Sequence, residues 1–195
     1  MTDLAPVASF SPAERGILQT MLERSVNAPL TSSAGRLFDA FAAFCGLRQR
    51  TSYEGQAASE LEWAAEGQAS GRSYELPLRE VDAPTRLIVD WQPALVAALA
   101  DLQAGSTVAA VSEALHNGLA AAITAVAARS GQHKVILTGG CFQNARLTET
   151  AVAALRVAGL QPVWHRRVPP NDGGIALGQA AWAARMEQGG FPPCA

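Results

Sequence analysis

The chain has 195 residues, 49% of them apolar and 16% charged, with a net charge of −2. That balance excludes a disordered tail, and a chain of this length buries roughly 70% of the surface it exposes when unfolded, enough for one domain with a substantial core. Scattered Lys and Arg exclude nucleic-acid binding by bulk charge, and no apolar run reaches the ~18 residues needed to span a bilayer. Cys45, Cys141 and Cys194 are odd in number and far apart, which fits neither a disulfide framework nor a structural zinc site. Met1 leads into Thr2 and Asp3, not into a basic stretch and an apolar core. A reducing cytoplasm is therefore the expected compartment.

In chain order, Ser11, Pro12 and Glu14 predict a helix opened by a capping box, with Ile17, Leu18, Met21 and Leu22 as its buried face. After a loop at 27–33, Leu37, Phe38, Phe41, Phe44 and Cys45 recur at helical spacing until Gly46, with Gly35 and Asp39 on a different face. A third helix follows Gly55, using Ala57, Ala58 and Leu61. Residues 67–71 read as a turn, and 72–78 and 85–91 as the two strands of a hairpin. Pro93 restarts helix, Gly105 breaks it, and Ser106 is the expected cap of a long helix whose Val108, Val111, Leu115, Leu119, Ile123 and Val126 keep the 3.6-residue period. The last third alternates: strand 134–138, glycine turn, helix 145–158, strand 162–165, proline loop, helix 173–187. Such α/β ordering implies parallel strands with crossover helices and a ligand site at their carboxyl ends. No repeat or linker divides the chain, so 1–195 reads as one unit.

Three places can carry chemistry. In V-I-L-T-G-G-C-F-Q-N (135–144) a buried strand delivers the chain to Gly139 and Gly140 just before a helix. Glycines there let backbone approach a ligand, and the next helix's free N–H groups would favour a phosphate, although a plain tight turn with Asn144 as cap is an equal reading. In P-P-N-D-G-G (169–174) Asp172 stands beside Gly173 and Gly174 at the last helix start, where it either caps the helix or faces a cation. Both turns follow strands of one sheet, so they should meet on one edge. In T-S-S-A-G-R-L-F-D (31–39) Ser32 or Ser33 is a helix cap, and Arg36 with Asp39 is a surface ion pair worth about 0.3 kcal/mol or part of a site. Glu54 of Y-E-G-Q is open in the same way: it reads a ligand's amine or hydroxyl, or it favours a helix start.

Taken together, N-A-P-L-T-S-S-A-G-R-L-F-D-A (27–40), S-Y-E-G-Q-A-A (52–58), T-G-G-C-F-Q-N (138–144) and R-V-P-P-N-D-G-G-I-A-L-G-Q (167–179) resemble the carboxy-terminal part of the hydrogenase-maturation carbamoyltransferases, the HypF family. The likeness runs from about residue 10 to about residue 186 and extends, more distantly, to the tRNA threonylcarbamoyl transferases. It implies an α/β fold: the second lobe of an actin-like, sugar-kinase-like (ASKHA) nucleotide-binding fold, a mixed sheet with flanking helices. It also implies a reaction in which carbamoyl phosphate and ATP give carbamoyl adenylate, whose carbamoyl group passes to the carboxy-terminal cysteine of a HypE partner in nickel-iron hydrogenase maturation.

Carried over by residue, the resemblance makes Gly139, Gly140, Asn144 and Gly173 holders of nucleotide phosphate and ribose. Gly35, Arg36, Asp39 and Glu54 would line the ribose and adenine side, and Asp172 would be a ligand to a divalent metal ion. Ser33, Asn171 and His116 are further candidates, His116 more readily as a partly buried, hydrogen-bonded structural histidine. The family's first lobe with its H-x-x-x-H pair is absent from this sequence, and His116, His133 and His165 are too widely spaced to replace it. The metal site is then half present at most, and turnover requires a chain supplying the missing wall. Two rivals stand beside this reading: a scaffold lobe that docks without nucleotide, and an ATPase of the same fold with another acceptor.

Overall fold

The computed structural model describes residues 4–81 and 83–188, so Cys194 and the Met1–Asp3 start lie outside the described residues. Four helices come first: α1 (Ala5–Ala8), α2 (Pro12–Glu23), α3 (Ala34–Phe44) and α4 (Gln56–Ala64). The hairpin β1 (Leu78–Val81) and β2 (Ala83–Val89), then α5 (Gln92–Gln103) and α6 (Val108–Arg129), lead to β3 (Lys134–Leu137). A 3-10 turn (Gly140–Gln143), α7 (Ala145–Val157), β4 (Gln161–Trp164), a second 3-10 turn (Asp172–Gly174) and α8 (Ile175–Glu187) complete it.

The expected capping box forms: Ser11 Oγ accepts from Glu14 N–H, and Glu14 reaches back to Ser11 N–H at 2.8 Å. The expected burial of this helix does not occur. Ile17 is 61% exposed and Leu22 70%, and no residue of α2 is buried. The long helix is as central as its periodicity predicts. Val111, Leu115 and Leu119 of α6 pack with Phe38, Phe41 and Leu61 on one side. Ala120 and Ala127 of the same helix join Leu137, Ala151, Val152 and Leu155 on the other. Its cap is Thr107, whose hydroxyl accepts from Ala110 N–H at 3.2 Å, rather than the expected Ser106.

The predicted hairpin shifts along the chain. Residues 72–77 have the alternating burial of a strand, with Tyr74 and Leu76 inside, but their partner is a helix. Tyr74 N–H donates to Ala114 C=O of α6 at 2.9 Å, and Asn117 Nδ2 donates to Arg72 C=O at 2.7 Å. Gly118 permits that crossing, since a Cβ there would sit 2.4 Å from the Tyr74 carbonyl oxygen. Period-2 burial reports an extended chain with one buried side; it does not report what lies alongside.

Among the described residues the sheet is divided. β1 and β2 pair antiparallel, and β3 and β4 pair parallel across the α7 crossover, as two separate two-stranded sheets. Val135 and Leu137 of β3 turn toward the core with Pro162 and Trp164 of β4, while Ile136 and Val163 face outward. Among the described residues no helix is long and apolar enough to cross a membrane.

Candidate functional site

The parallel pair decides where the two glycine segments end up. Because β3 and β4 run the same way, both chains leave the sheet at one edge, where Thr138 Oγ1 lies 3.0 Å from His165 Nε2. One residue on, Gly139 N–H donates to the Pro170 carbonyl at 2.9 Å, tying the T-G-G-C-F-Q-N corner to the P-P-N-D-G-G loop. Gly139 has φ +103° and ψ 159°, a backbone region that is closed to side chains with a Cβ. A Cβ on Gly139 or Gly140 would meet nothing within 4 Å, so this corner is an open ledge.

Of the two roles expected of Asp172, the helix cap is not the one it takes. Asn171 caps the turn, its Oδ1 accepting from Gly173 N–H at 3.1 Å, and the exposed Asp172 carboxylate is left for solvent or ligand. A Cβ on Gly173 would touch Asn171 Oδ1 at 3.1 Å, and one on Gly174 would lie 2.7 Å from the Pro169 carbonyl oxygen. Gly174 is therefore required by the loop's own packing, whatever binds beside it.

The N-terminal end of α3 approaches the same corner. A Cβ on Gly35 would lie 4.0 Å from Cys141 Sγ, and the Cys141 thiol is raised from its usual value, first by burial and then by the nearby Asp39 carboxylate. Ser33 is the α3 cap, Oγ accepting from Arg36 N–H at 3.4 Å, and Arg36 and Asp39 pair at 2.7 Å. Gly35, Arg36, Asp39, Gly139, Gly140 and Asp172 thus belong to two adjoining corners and one helix end. Glu54 is exposed in the turn before α4, and among the described residues no hydrogen bond or ion pair joins it to either corner.

Asn144 is the helix cap that the plainer of the two readings of this turn expects, and the start of α7 departs from the expectation of ligand-facing donors. Asn144 Oδ1 accepts from Leu147 N–H at 2.7 Å, and its Nδ2 donates to His116 Nε2 at 2.9 Å. Ala145 and Arg146 N–H both donate to Glu62 Oε1, at 2.7 and 3.2 Å. The helix end expected to offer free N–H groups to a phosphate is closed by a carboxylate from α4 instead. Nothing local could have revealed that contact, since the partners are 83 and 84 residues apart.

His116 is fully buried, deeper than the partly buried, hydrogen-bonded structural histidine that the sequence predicts. Its Nδ1–H donates to the Ser112 carbonyl at 2.7 Å, which leaves Nε2 as the acceptor for Asn144. Burial pushes the imidazole pKa below its usual value, with Arg146 adding to the effect, while the hydrogen bonds to Ser112 and Asn144 oppose it. The Phe38 ring lies 5.2 Å away, so α3, α6 and the glycine corner meet at this one neutral histidine.

A second buried network also escaped sequence reading. Burial alone would raise the Glu113 carboxyl, yet Ser70 Oγ–H, Gly71 N–H and Arg146 hold it below the usual range. Arg146 donates to the Ala65 and Gln68 carbonyls at 2.6 and 2.9 Å, so the 65–71 turn is stapled between α6 and α7.

Asp172 supplies a single carboxylate, and among the described residues no group of three or more His, Cys, Asp or Glu side chains could hold a metal ion. Hard divalent cations take six or more oxygens, so the residues present do not make a metal site on their own. Surface clefts of about 290 and 460 Å³ are lined by Thr148, Glu149, Arg156 and Trp164, and by Gly16, Ile17 and Met21, and involve none of the predicted residues. The glycine ledge offers one wall, and ligand sites generally need two.

A sequence family described as carbamoyltransferase, Kae1-like domain, second subdomain, matches residues 2–179. The carbamoyltransferase HypF of Rhodobacter capsulatus is 42% identical over 94% of this chain and 24% of its own length. HypF of Synechocystis sp. is 41% identical over 78% of this chain and 19% of its own. A crystal structure of full-length HypF in a phosphate- and nucleotide-bound form superposes with a TM-score of 0.83 at 33% identity, over 93% of this chain and 24% of that one. The chain thus spans about a quarter or less of the length of these relatives. It belongs to the HypF carbamoyltransferase family, with the fold of the second subdomain of the Kae1-like domain.

Proposed function

We propose that this chain is the nucleotide-holding lobe of a carbamoyl-transfer enzyme. In this reading a carbamoyl group passes from carbamoyl phosphate, through carbamoyl adenylate, to the carboxy-terminal cysteine of a HypE-like acceptor. The observation that carries it is the Gly139 N–H to Pro170 C=O hydrogen bond, which joins two glycine corners on one open ledge. A phosphoanhydride can lie against backbone there because neither Gly139 nor Gly140 presents a side chain. Arg36, whose guanidinium is largely exposed, and the Asp39 carboxylate frame the ribose side. Asn144 acts behind the ledge, since its amide is spent on the α7 cap and on His116.

The chemistry asked of such a site is positioning. The acceptor thiolate attacks the carbamoyl carbon, the bond to the adenylate phosphate oxygen breaks, and AMP leaves with the electron pair. Holding thiolate and carbonyl carbon in line while excluding water is where most of the acceleration would arise. An open ledge cannot exclude water, so complete turnover needs a second wall from elsewhere in the polypeptide or from another chain. Asp172 would be one ligand of a divalent metal ion lying against the phosphates, the remaining oxygens coming from the nucleotide and the second wall, and no step is routed through that ion.

Calorimetry with ATP and with a non-hydrolysable adenylate analogue tests the assignment. Gly139→Val forces a β-branched residue into φ +103°, and Asp172→Ala removes the exposed carboxylate. Each is expected to weaken binding at least tenfold, or about 1.4 kcal/mol; binding unaffected by both removes the site from this ledge. The scaffold reading gains from Glu62 closing the α7 end, which takes donors away from a phosphate. Capture of a HypE-like protein that is indifferent to nucleotide would favour it.

A further inference from the structure

Arg36, Arg48, Arg72, Arg79, Arg129 and Arg146 each have a carboxylate partner. Among the described residues Arg156 and Arg166 have none, and both gather on one aromatic ring. The Arg166 guanidinium lies over Trp164 at 4.3 Å from the ring centroid, and that of Arg156 at 5.5 Å. Trp164 ends β4, and its half-buried ring packs against the Ala151, Val152 and Leu155 cluster. Arg156 comes from the last turn of α7, where a cation suits the helix dipole, but no helix end accounts for Arg166.

These groups line a cleft of about 290 Å³, with one face of α7 from Thr148 to Arg156 on one side and Trp164 and Arg166 on the other. At 1.5 Å per residue that face is ~12 Å long, the reach of about three or four residues of extended chain. Val152 and Ala153 give it an apolar floor, and the Thr148 hydroxyl already donates to the Phe142 carbonyl at 3.0 Å. Glu149 lines the same cleft roughly two helical turns from Arg156, and among the described residues no ion pair joins it to either arginine. A polyanion charged at every unit meets Glu149, whereas a peptide can carry its carboxylates at one end alone. A guanidinium resting on a ring spends its flat face there and keeps its N–H donors free at the edge, already oriented for the two oxygens of a carboxylate. With the indole taken up by cations, it is not a platform for a nucleobase.

The geometry points to this cleft as a docking site for a short acidic peptide segment of a partner protein. Adjacent Asp or Glu side chains of that segment pair with Arg156 and Arg166 over Trp164, and the uncharged residues that follow lie on Val152 and Ala153. None of the glycine-ledge residues takes part, so the inference stands whether or not the ledge holds nucleotide.

Calorimetry of the whole chain at low salt, without nucleotide, tests it with a blocked peptide of two glutamates followed by alanine, leucine and alanine. The comparison ligands are the same peptide with glutamines for the glutamates, and inorganic phosphate. The glutamate peptide should bind roughly tenfold more tightly than the glutamine one, and phosphate at equal concentration should not displace it. Arg156→Gln and Arg166→Gln should each weaken binding about fivefold, and Glu149→Gln, which removes the opposing carboxylate, should strengthen it about threefold. Arg129→Gln alters net charge equally at an exposed position outside the cleft and should change affinity less than about twofold. The three cleft side chains are exposed, so circular dichroism should show each variant folded as wild type is. Equal affinity for the two peptides, indifference to Arg156→Gln and Arg166→Gln, or an equal loss in Arg129→Gln would each overturn the proposal. Displacement by phosphate reduces the cleft to a simple anion site, and no binding at millimolar peptide removes it; either result sinks the inference.

Discussion

Removing the Glu62 carboxylate tests whether the start of α7 is closed by protein or held open for a ligand. In Glu62→Ala, the Ala145 and Arg146 N–H groups lose acceptors at 2.7 and 3.2 Å, and the α7 N-terminus loses a facing negative charge. Hydrogen bonds to a charged group contribute about 1.5–3 kcal/mol when buried, and a charge at a helix end about 0.3–1. Ala145 is exposed and Arg146 half-buried, so water replaces part of what is lost and the net cost should be about 2 kcal/mol. For a domain of this size that is a fall of roughly 4–8 °C in Tm. Glu62→Gln keeps an acceptor without the charge and should cost about 0.5–1 kcal/mol. Urea and thermal unfolding by circular dichroism measure both, with calorimetric titration of ATP beside them. Nucleotide affinity should stay within about twofold of wild type, since ~0.4 kcal/mol is the expected limit of an indirect effect. A loss below ~0.5 kcal/mol, or unchanged stability with a tenfold fall in affinity, would mean that Glu62 serves a ligand rather than the helix.

Two further predictions concern residues behind the ledge. His116 is held neutral with its pKa below the unfolded value of 6.5, so its contribution is complete above pH 6.5 and declines as the unfolded state takes up a proton below it. Stability should fall by up to about 1 kcal/mol between pH 7.5 and 5.5, and His116→Gln should remove that slope. Glu113 and Asp101, also below their usual values of 4.5 and 3.8, contribute mainly at lower pH, so urea midpoints at the two pH values isolate the histidine. A slope that survives in the variant contradicts the neutral assignment. Gly118→Ala sets a Cβ 2.4 Å from the Tyr74 carbonyl oxygen, and displacing that backbone should cost about 3 kcal/mol; a urea midpoint like that of wild type would show that residues 72–76 do not cross α6 at that point.

Local chemistry is enough to determine much of this molecule. Ser11, Pro12 and Glu14 are a capping box whose partners are three residues apart, and the α6 periodicity requires a central helix because one stripe of 3.6-residue spacing must be buried. The α/β ordering of the last third entails parallel pairing, since a helix between two strands returns the chain in the same direction, and this alone sets both glycine corners on one edge. Four linked motifs also sufficed to name the family. Tertiary structure decided which polar groups are free. Glu62 and Ala145, His116 and Asn144, and Ser70 and Glu113 meet across 83, 28 and 43 residues, and no spacing rule reaches so far. Those long-range bonds close the α7 helix end and turn Asn144 inward, leaving the backbone ledge and Asp172 as the exposed chemistry. The same holds for burial: α2 and the outer face of β3 have the apolar pattern of covered elements, but a pattern states only that a side is apolar, and whether it is covered depends on what is packed against it.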